Sequence, residues 1–191
     1  MVWLGIALAL AAVMVFVVAC CKTASDEDDY LESVSPEPTA APLGSWVRYD
    51  VPLEDGVQRY VYDLCTGKGI APSLVYAIMS VESDYDATKI GDGGNSFGLM
   101  QIYETAHHDR CLAMGMDNLL NGYQNVTVGV SILDELMSKG YDLDRVLMAY
   151  NGGEGYAEMM IASGRTTTEY TEAVKAQMEI IAASATAVLV E

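Results

Sequence analysis

Residues 72–101 read PSLVYAIMSVESDYDATKIGDGGNSFGLMQ. Pro72 suits a first helical turn, because its missing N–H is one of the donors that a helix start leaves unpaired anyway. Leu74, Ile78 and Val81 then recur on one face with Val75 and Met79 beside it, so the spacing predicts a helix running to about Glu82. Val75, Met79 and Glu82 stand at i, i+4 and i+7. The carboxyl therefore emerges at the last turn beside apolar neighbours, where desolvation disfavours the charged form. The negative end of the helix dipole pushes the same way. A glutamate held protonated near neutral pH is what a general acid at a glycosidic oxygen needs. Taken alone, a glutamate ending a helix is more often a solvated surface residue.

The second half of the stretch is a glycine-rich loop. Gly91, Gly93, Gly94 and Gly98 permit backbone paths that other residues find strained, and they let a ligand approach main-chain donors closely. The loop closes into Gly98-Leu99-Met100-Gln101, a pliable apolar side chain beside an amide that both donates and accepts. That pairing suits a sugar carrying an N-acetyl group, and the plainer reading is a surface loop with a methionine in the core. Gly94-Asn95-Ser96-Phe97-Gly98 also matches G-x-S-x-G, the nucleophile elbow of serine hydrolases. That elbow needs a buried strand before it and a helix after it, with an acid and a histidine later in the chain. Residues 86–93 make no apolar strand, and His107 and His108 follow Ser96 within twelve residues, so the match is read as chance.

Outward from this stretch the chain reads as helices punctuated by glycine. Residues 55–66 place Val57, Tyr60, Val61 and Leu64 at helical spacing before Gly67 and Gly69. Downstream, residues 105–114, 123–138 before Gly140, 143–150 before Gly152-Gly153, 155–162 and 170 to about 188 give further helices. The extended candidates, 47–51 and 89–90, are too short to make a sheet the organising layer. The predicted class is all-α, with irregular loops around a cleft. Ala149-Tyr150-Asn151-Gly152-Gly153 puts a phenol and an amide at a helix end, where a second wall of that cleft could present them. Asn125 and Gly129 share a helix face and are read as tight packing.

Length and charge bound the rest. The 191 residues carry a formal net charge of -17, and the ten Lys and Arg are scattered, which argues against a nucleic-acid partner. Residues 2–19 are uninterruptedly apolar or small and are followed by Cys20, Cys21 and Lys22. Residues 1–21 therefore read as a signal, a lipoprotein leader ending in Val17-Val18-Ala19-Cys20, or a membrane-spanning anchor. Residues 22–45, rich in Asp, Glu, Ser, Thr and Pro, read as a disordered tether of up to roughly 70 Å. Residues 46–191 are expected to form one domain, held on the outer face of the cytoplasmic membrane or, where a signal is cleaved, secreted. Cys65 and Cys111 remain as a disulfide or as two buried thiols, both open to an exported chain. No Cys or His spacing suggests zinc, and neither a metal nor another cofactor is expected. The sequence names no protein partner.

Together, Glu82-Ser83, Gly98-Leu99-Met100-Gln101-Ile102, Asn125 with Gly129, and Ala149-Tyr150-Asn151-Gly152-Gly153 resemble the soluble-type lytic transglycosylases, a branch of the lysozyme-like superfamily. The resemblance runs from about Leu64 to Tyr156, and it departs from the family where Glu154 follows Gly153 in place of a small residue and proline. It implies a lysozyme-like α domain acting on peptidoglycan glycan strands, cleaving the MurNAc–GlcNAc β-1,4 bond with formation of a 1,6-anhydro end. By that likeness Glu82 is the acid and then the base. Ser83, Gly98, Met100, Gln101, Tyr150 and Asn151 are cleft residues, with Tyr150 hydrogen-bonding Glu82 and Gln101 touching the sugar. Asp84, Asp86 and Asp92 match nothing in the family pattern. The alternatives are a goose-type-like hydrolytic muramidase and a peptidoglycan-binding module without catalysis.

Overall fold

The computed structural model describes residues 45–189. The expected anchor over residues 1–21, and all but the last residue of the tether over 22–45, lie outside them. Among the described residues no helix is long and apolar enough to cross a membrane.

In chain order the elements are β1 (Ser45–Arg48), α1 (Asp55–Thr66), α2 (Pro72–Ser83), β2 (Ile90–Gly91), β3 (Ser96–Phe97), β4 (Ile102–Tyr103), α3 (Glu104–Met114), α4 (Gly122–Ser138), α5 (Leu143–Gly152), α6 (Glu154–Ala162), α7 (Glu169–Ala183) and β5 (Thr186–Leu189). The described region is thus mostly helical, and the helix limits fall close to where glycine and apolar spacing put them.

The central element is α2. Every residue from Pro72 to Met79 is buried, so this helix is apolar all round because neighbours cover all of it. It packs chiefly on α7, and α5 packs on α4, α6 and α7. The core gathers Val61 of α1, Val75, Tyr76 and Met79 of α2, Val126 and Leu133 of α4, Leu147 of α5 and Val174 of α7. On α1 the buried face is Gln58, Val61 and Cys65. Gln58 accepts from the Tyr49 amide (2.9 Å) and donates to the Leu53 carbonyl (3.1 Å), so a fully buried amide has partners on both ends. No disulfide joins Cys65 and Cys111, which are both buried thiols.

Two departures from the sequence reading concern strands. The last helix stops at Ala183 instead of reaching residue 188, and β5 pairs antiparallel with β1, Trp46 opposite Val188 and Val47 opposite Ala187. Trp46 and Val47 are buried, and the burial they gain beside β5 outweighs continuing the helix. The second departure is a three-stranded sheet in the order β2-β3-β4, which folds the glycine loop into a shaped hairpin.

Candidate active site

The site is built from the end of α2. The helix stops because Asp84 (φ 53°) and Tyr85 (φ 64°) both take left-handed conformations, and their amides turn back onto the carbonyls of Ser80 (3.1 Å) and Met79 (3.3 Å). Two consecutive non-glycine residues in that region cost about 1–2 kcal/mol each, so tertiary packing must hold the turn. Its result is that Glu82 occupies the last helical turn at the edge of the cleft while the chain leaves to form the hairpin.

Burial pushes the Glu82 carboxyl above its ordinary range, and the nearby Asp92 carboxylate adds to that effect. A hydrogen bond from Tyr170 and the charge of Lys89 act in the opposite sense and leave the net direction upward. The Tyr170 hydroxyl donates to Glu82 Oε1 at 2.8 Å. The Lys89 ammonium donates to the Glu82 main-chain carbonyl at 2.5 Å. Tyr170 itself, desolvated and beside a carboxylate, is held well above the usual phenol range and stays protonated as a donor.

This corrects the expected Tyr150–Glu82 hydrogen bond. The Tyr150 hydroxyl instead donates to the Met100 carbonyl at 2.9 Å and fixes the loop, while its ring still borders the cleft. Tyr170 lies in the first turn of α7, which the sequence reading assigned to packing. The one hint there is the cap Thr168-x-x-Thr171, which marks a helix start but says nothing of a partner 88 residues back.

Residues expected in the cleft divide into two groups. Gln101, Tyr150 and Asn151 border it together with Glu82. Ser83 and Met100 stand behind it: Ser83 is buried and donates to the carbonyls of Leu99 (2.8 Å) and Met79 (3.1 Å), and Met100 is fully buried against α4. Gly98 is also structural. Its φ is 73°, and a Cβ there would meet the Leu119 carbonyl and the Asn125 amide. Gln101 folds its own side chain back, donating to the carbonyls of Gly98 (2.9 Å) and Lys89 (3.1 Å), so it buttresses the hairpin while facing the cleft.

Asn125 does more than pack. Fully buried in α4, it accepts from the Met100 amide (2.8 Å) and donates to the carbonyls of Phe97 (2.7 Å) and Leu119 (2.9 Å). Gly129, one turn on, is the packing residue: a Cβ there would strike the Met100 side chain. The loop is therefore clamped on α4 by one amide and one missing methyl.

The cleft has a volume of about 440 Å³ and also takes in Asp92 and Ser96. Ser96 lies in a strand rather than on a strand-to-helix turn, and its hydroxyl donates to Asp92 Oδ2 at 2.5 Å. Neither histidine bonds to it, so no elbow is assembled. Glu154, where the sequence departs from the family pattern, opens α6 and accepts from Lys139 (2.7 Å) and Tyr141 (2.8 Å). Among the described residues no group of three His, Cys, Asp or Glu side chains gathers that could hold a metal ion.

The family model of the transglycosylase SLT domain matches residues 62–172. Among solved structures, the 70 kDa soluble lytic transglycosylase of Escherichia coli is similar over 69% of this chain and 22% of its own, at 20% identity and a TM-score of 0.50. An inactive glutamate-to-glutamine mutant of the lytic transglycosylase Slt from Pseudomonas aeruginosa is similar over 64% of this chain and 20% of its own, at 17% identity and a TM-score of 0.49. The chain spans about a fifth of the length of either protein. The likeness to the Escherichia coli structure is one of fold.

Proposed function

Because the chain belongs to the transglycosylase SLT domain family, we propose that it is a lytic transglycosylase cleaving the MurNAc–GlcNAc β-1,4 bond of peptidoglycan. Glu82 is the catalytic acid and base. It gives its proton to the glycosidic oxygen as the bond from C1 to that oxygen breaks. The carboxylate so formed then takes the proton of the C6 hydroxyl as that oxygen closes on C1, giving the 1,6-anhydro ring and returning Glu82 to its starting state. The nucleophile belongs to the substrate, so no second carboxylate takes part, unlike the paired acids of most glycosidases.

One observation carries this reading: Glu82 faces the cleft at the end of a buried helix, its carboxyl raised by desolvation and oriented by Tyr170. A raised carboxyl supplies the proton, and a phenol donor steadies the carboxylate left behind. Mass spectrometry of digested sacculi tests the reaction, with anhydro ends as the expected product.

A second reading draws on Asp92, which borders the same cleft and is held by Ser96. An aspartate so placed could hold a water for hydrolysis, as in the goose-type-like muramidase. If digests carry reducing MurNAc ends alone, and Asp92→Asn abolishes them, hydrolysis replaces the transglycosylase reading. Binding to sacculi without release of soluble fragments would leave a non-catalytic module. The N-terminal residues tie the domain to the outer face of the cytoplasmic membrane in this proposal. The intact mass of membrane-extracted protein checks it, because acylation at Cys20 removes the first nineteen residues.

A further inference from the structure

A second concavity, of about 620 Å³, exceeds the cleft in volume. It follows α3 on a different face from the one the cleft uses. Glu104, His108, Cys111 and Leu112 border it at i, i+4, i+7 and i+8, whereas Ala106, His107 and Arg110 border the cleft. Strand β3 divides the two in the same way, since Ser96 faces the cleft and the next residue, Phe97, faces the groove. Among the described residues the groove and the cleft have none in common, so both can be occupied at once.

The wall opposite α3 is the connection over residues 115–120, and it is already fixed. The Gly115 and Met116 amides bond the carbonyls of Leu112 (3.1 Å) and Cys111 (2.9 Å). Those of Asp117 (2.8 Å) and Asn118 (2.9 Å) share the Gln124 side-chain oxygen, and that of Leu120 bonds Asn118 Oδ1 (3.1 Å). Asn125 holds the Leu119 carbonyl. These main-chain groups leave nothing for an extended peptide to pair with, so an occupant has to satisfy its own backbone, which a helix does. The groove follows all 11 residues of α3, about 16 Å, the length of three helical turns.

Its floor and rim state the chemistry of the occupant. Phe97, Leu112, Met116, Leu119 and Leu120 give one continuous apolar lining, with Leu112 66% and Leu120 36% exposed. The rim carries the carboxylates of Glu104 and Asp117, and among the described residues no Lys or Arg borders it. A chain of net charge -17 draws in a cation and repels the anionic headgroups of a membrane.

We propose that this groove docks a partner protein through an amphipathic helix, its apolar face on Leu112 and Leu120 and its flanking Lys or Arg side chains on Glu104 and Asp117. The contact holds the domain on its partner and leaves the cleft open to substrate.

The test uses the full chain and a synthetic four-turn helix with Leu on one face and Lys on the other, followed by fluorescence anisotropy at low salt. The same peptide with Glu for Lys, and a scrambled Leu/Lys peptide, are the comparisons. The Leu/Lys helix is expected to bind, and each comparison to bind at least about 10-fold more weakly. Leu112→Gln with Leu120→Gln should cost at least about 10-fold, and Glu104→Gln with Asp117→Asn about 3- to 10-fold. Ile180→Gln, an exposed apolar residue of α7, should change nothing. All these side chains are partly or largely open to water, so melting temperatures should stay at the parent value.

Absence of binding, or equal binding by the Leu112→Gln/Leu120→Gln protein, would overturn the groove as the site. A Glu peptide or scrambled peptide that binds as tightly as the Leu/Lys helix would overturn the stated partner. Two further results would also overturn it, each if lost in Leu112→Gln/Leu120→Gln: self-association of the parent in sedimentation, which makes the occupant a second copy, and capture of anionic vesicles, which makes it a membrane.

Discussion

Glu82 is a compromise between forces of opposite sign. Burial raises its carboxyl, whereas Tyr170 and Lys89 favour the charged form, and burial wins. The native state therefore holds this proton more tightly than the unfolded chain does. The resulting stability is fully present below the unfolded pKa and is lost as pH rises through the folded one. Glu82→Gln, which never charges, is expected to melt above the parent at about pH 8 and to lose that advantage near about pH 4. Its turnover should fall by at least about 10²- to 10⁴-fold at all pH values if Glu82 is the general acid proposed above. Tyr170→Phe removes a donor that stabilises the carboxylate. Its effect is a further rise of the Glu82 pKa, read as an alkaline limb of kcat/KM displaced to higher pH, with a lower plateau because the carboxyl loses its orientation. A Tyr150→Phe change lacks this signature, since that hydroxyl serves the Met100 carbonyl.

At the scale of elements, the hairpin of β2, β3 and β4 depends on α4. Asn125→Ala would strand the Met100 amide and the carbonyls of Phe97 and Leu119, and a loss of about 2–4 kcal/mol is expected from chemical denaturation. Gly129→Ala would overpack Met100 and cost about 1–3 kcal/mol in the same measurement. In both variants glycan cleavage should fall more steeply than helix content, because the loop and not the helix is what loosens. Apolar spacing, glycine stops and the proline at α2 made the helices legible in sequence, since those signals act within a few residues. Asn125, Tyr170 and β5 were not, because each takes its meaning from a partner far along the chain: Met100 for the first, Glu82 for the second, and β1 at the other end of the domain for the third. Gly98 and Met100 were legible as a motif but misplaced as cleft surface. A spacing pattern shows which residues belong together, and packing decides which of them face the ligand.

For the whole molecule the governing quantity is charge. The chain carries -17, and Arg48, Arg59, Lys68, Arg110, Lys139, Arg145 and Lys175 are each already paired with a carboxylate in the domain. Lys89 and Arg165 stand outside these pairs, but the unpaired acids outnumber them, so the field seen by an approaching polymer is negative. Intact peptidoglycan bears carboxylates on its peptides, so the two surfaces repel wherever they are not in contact. The Debye length falls from about 30 Å at 10 mM salt to about 8 Å at 150 mM, enough to screen this repulsion without touching short-range contacts in the cleft. Binding to sacculi is therefore expected to strengthen a few-fold over that range and then level off, opposite to the steep weakening of a protein that neutralises a polyanion with Lys and Arg. Uncharged GlcNAc oligomers, which meet the cleft alone, should bind with little salt dependence. Co-sedimentation with sacculi beside calorimetry on the oligomers separates the two cases. Binding to sacculi that weakens with salt would point to a local basic contact, with Lys89 and Arg165 the cations of residues 45–189 outside the ion pairs above, and equal salt dependence for both ligands would locate the charge effect inside the cleft, where Asp92, Arg110, Glu135 and Glu154 stand.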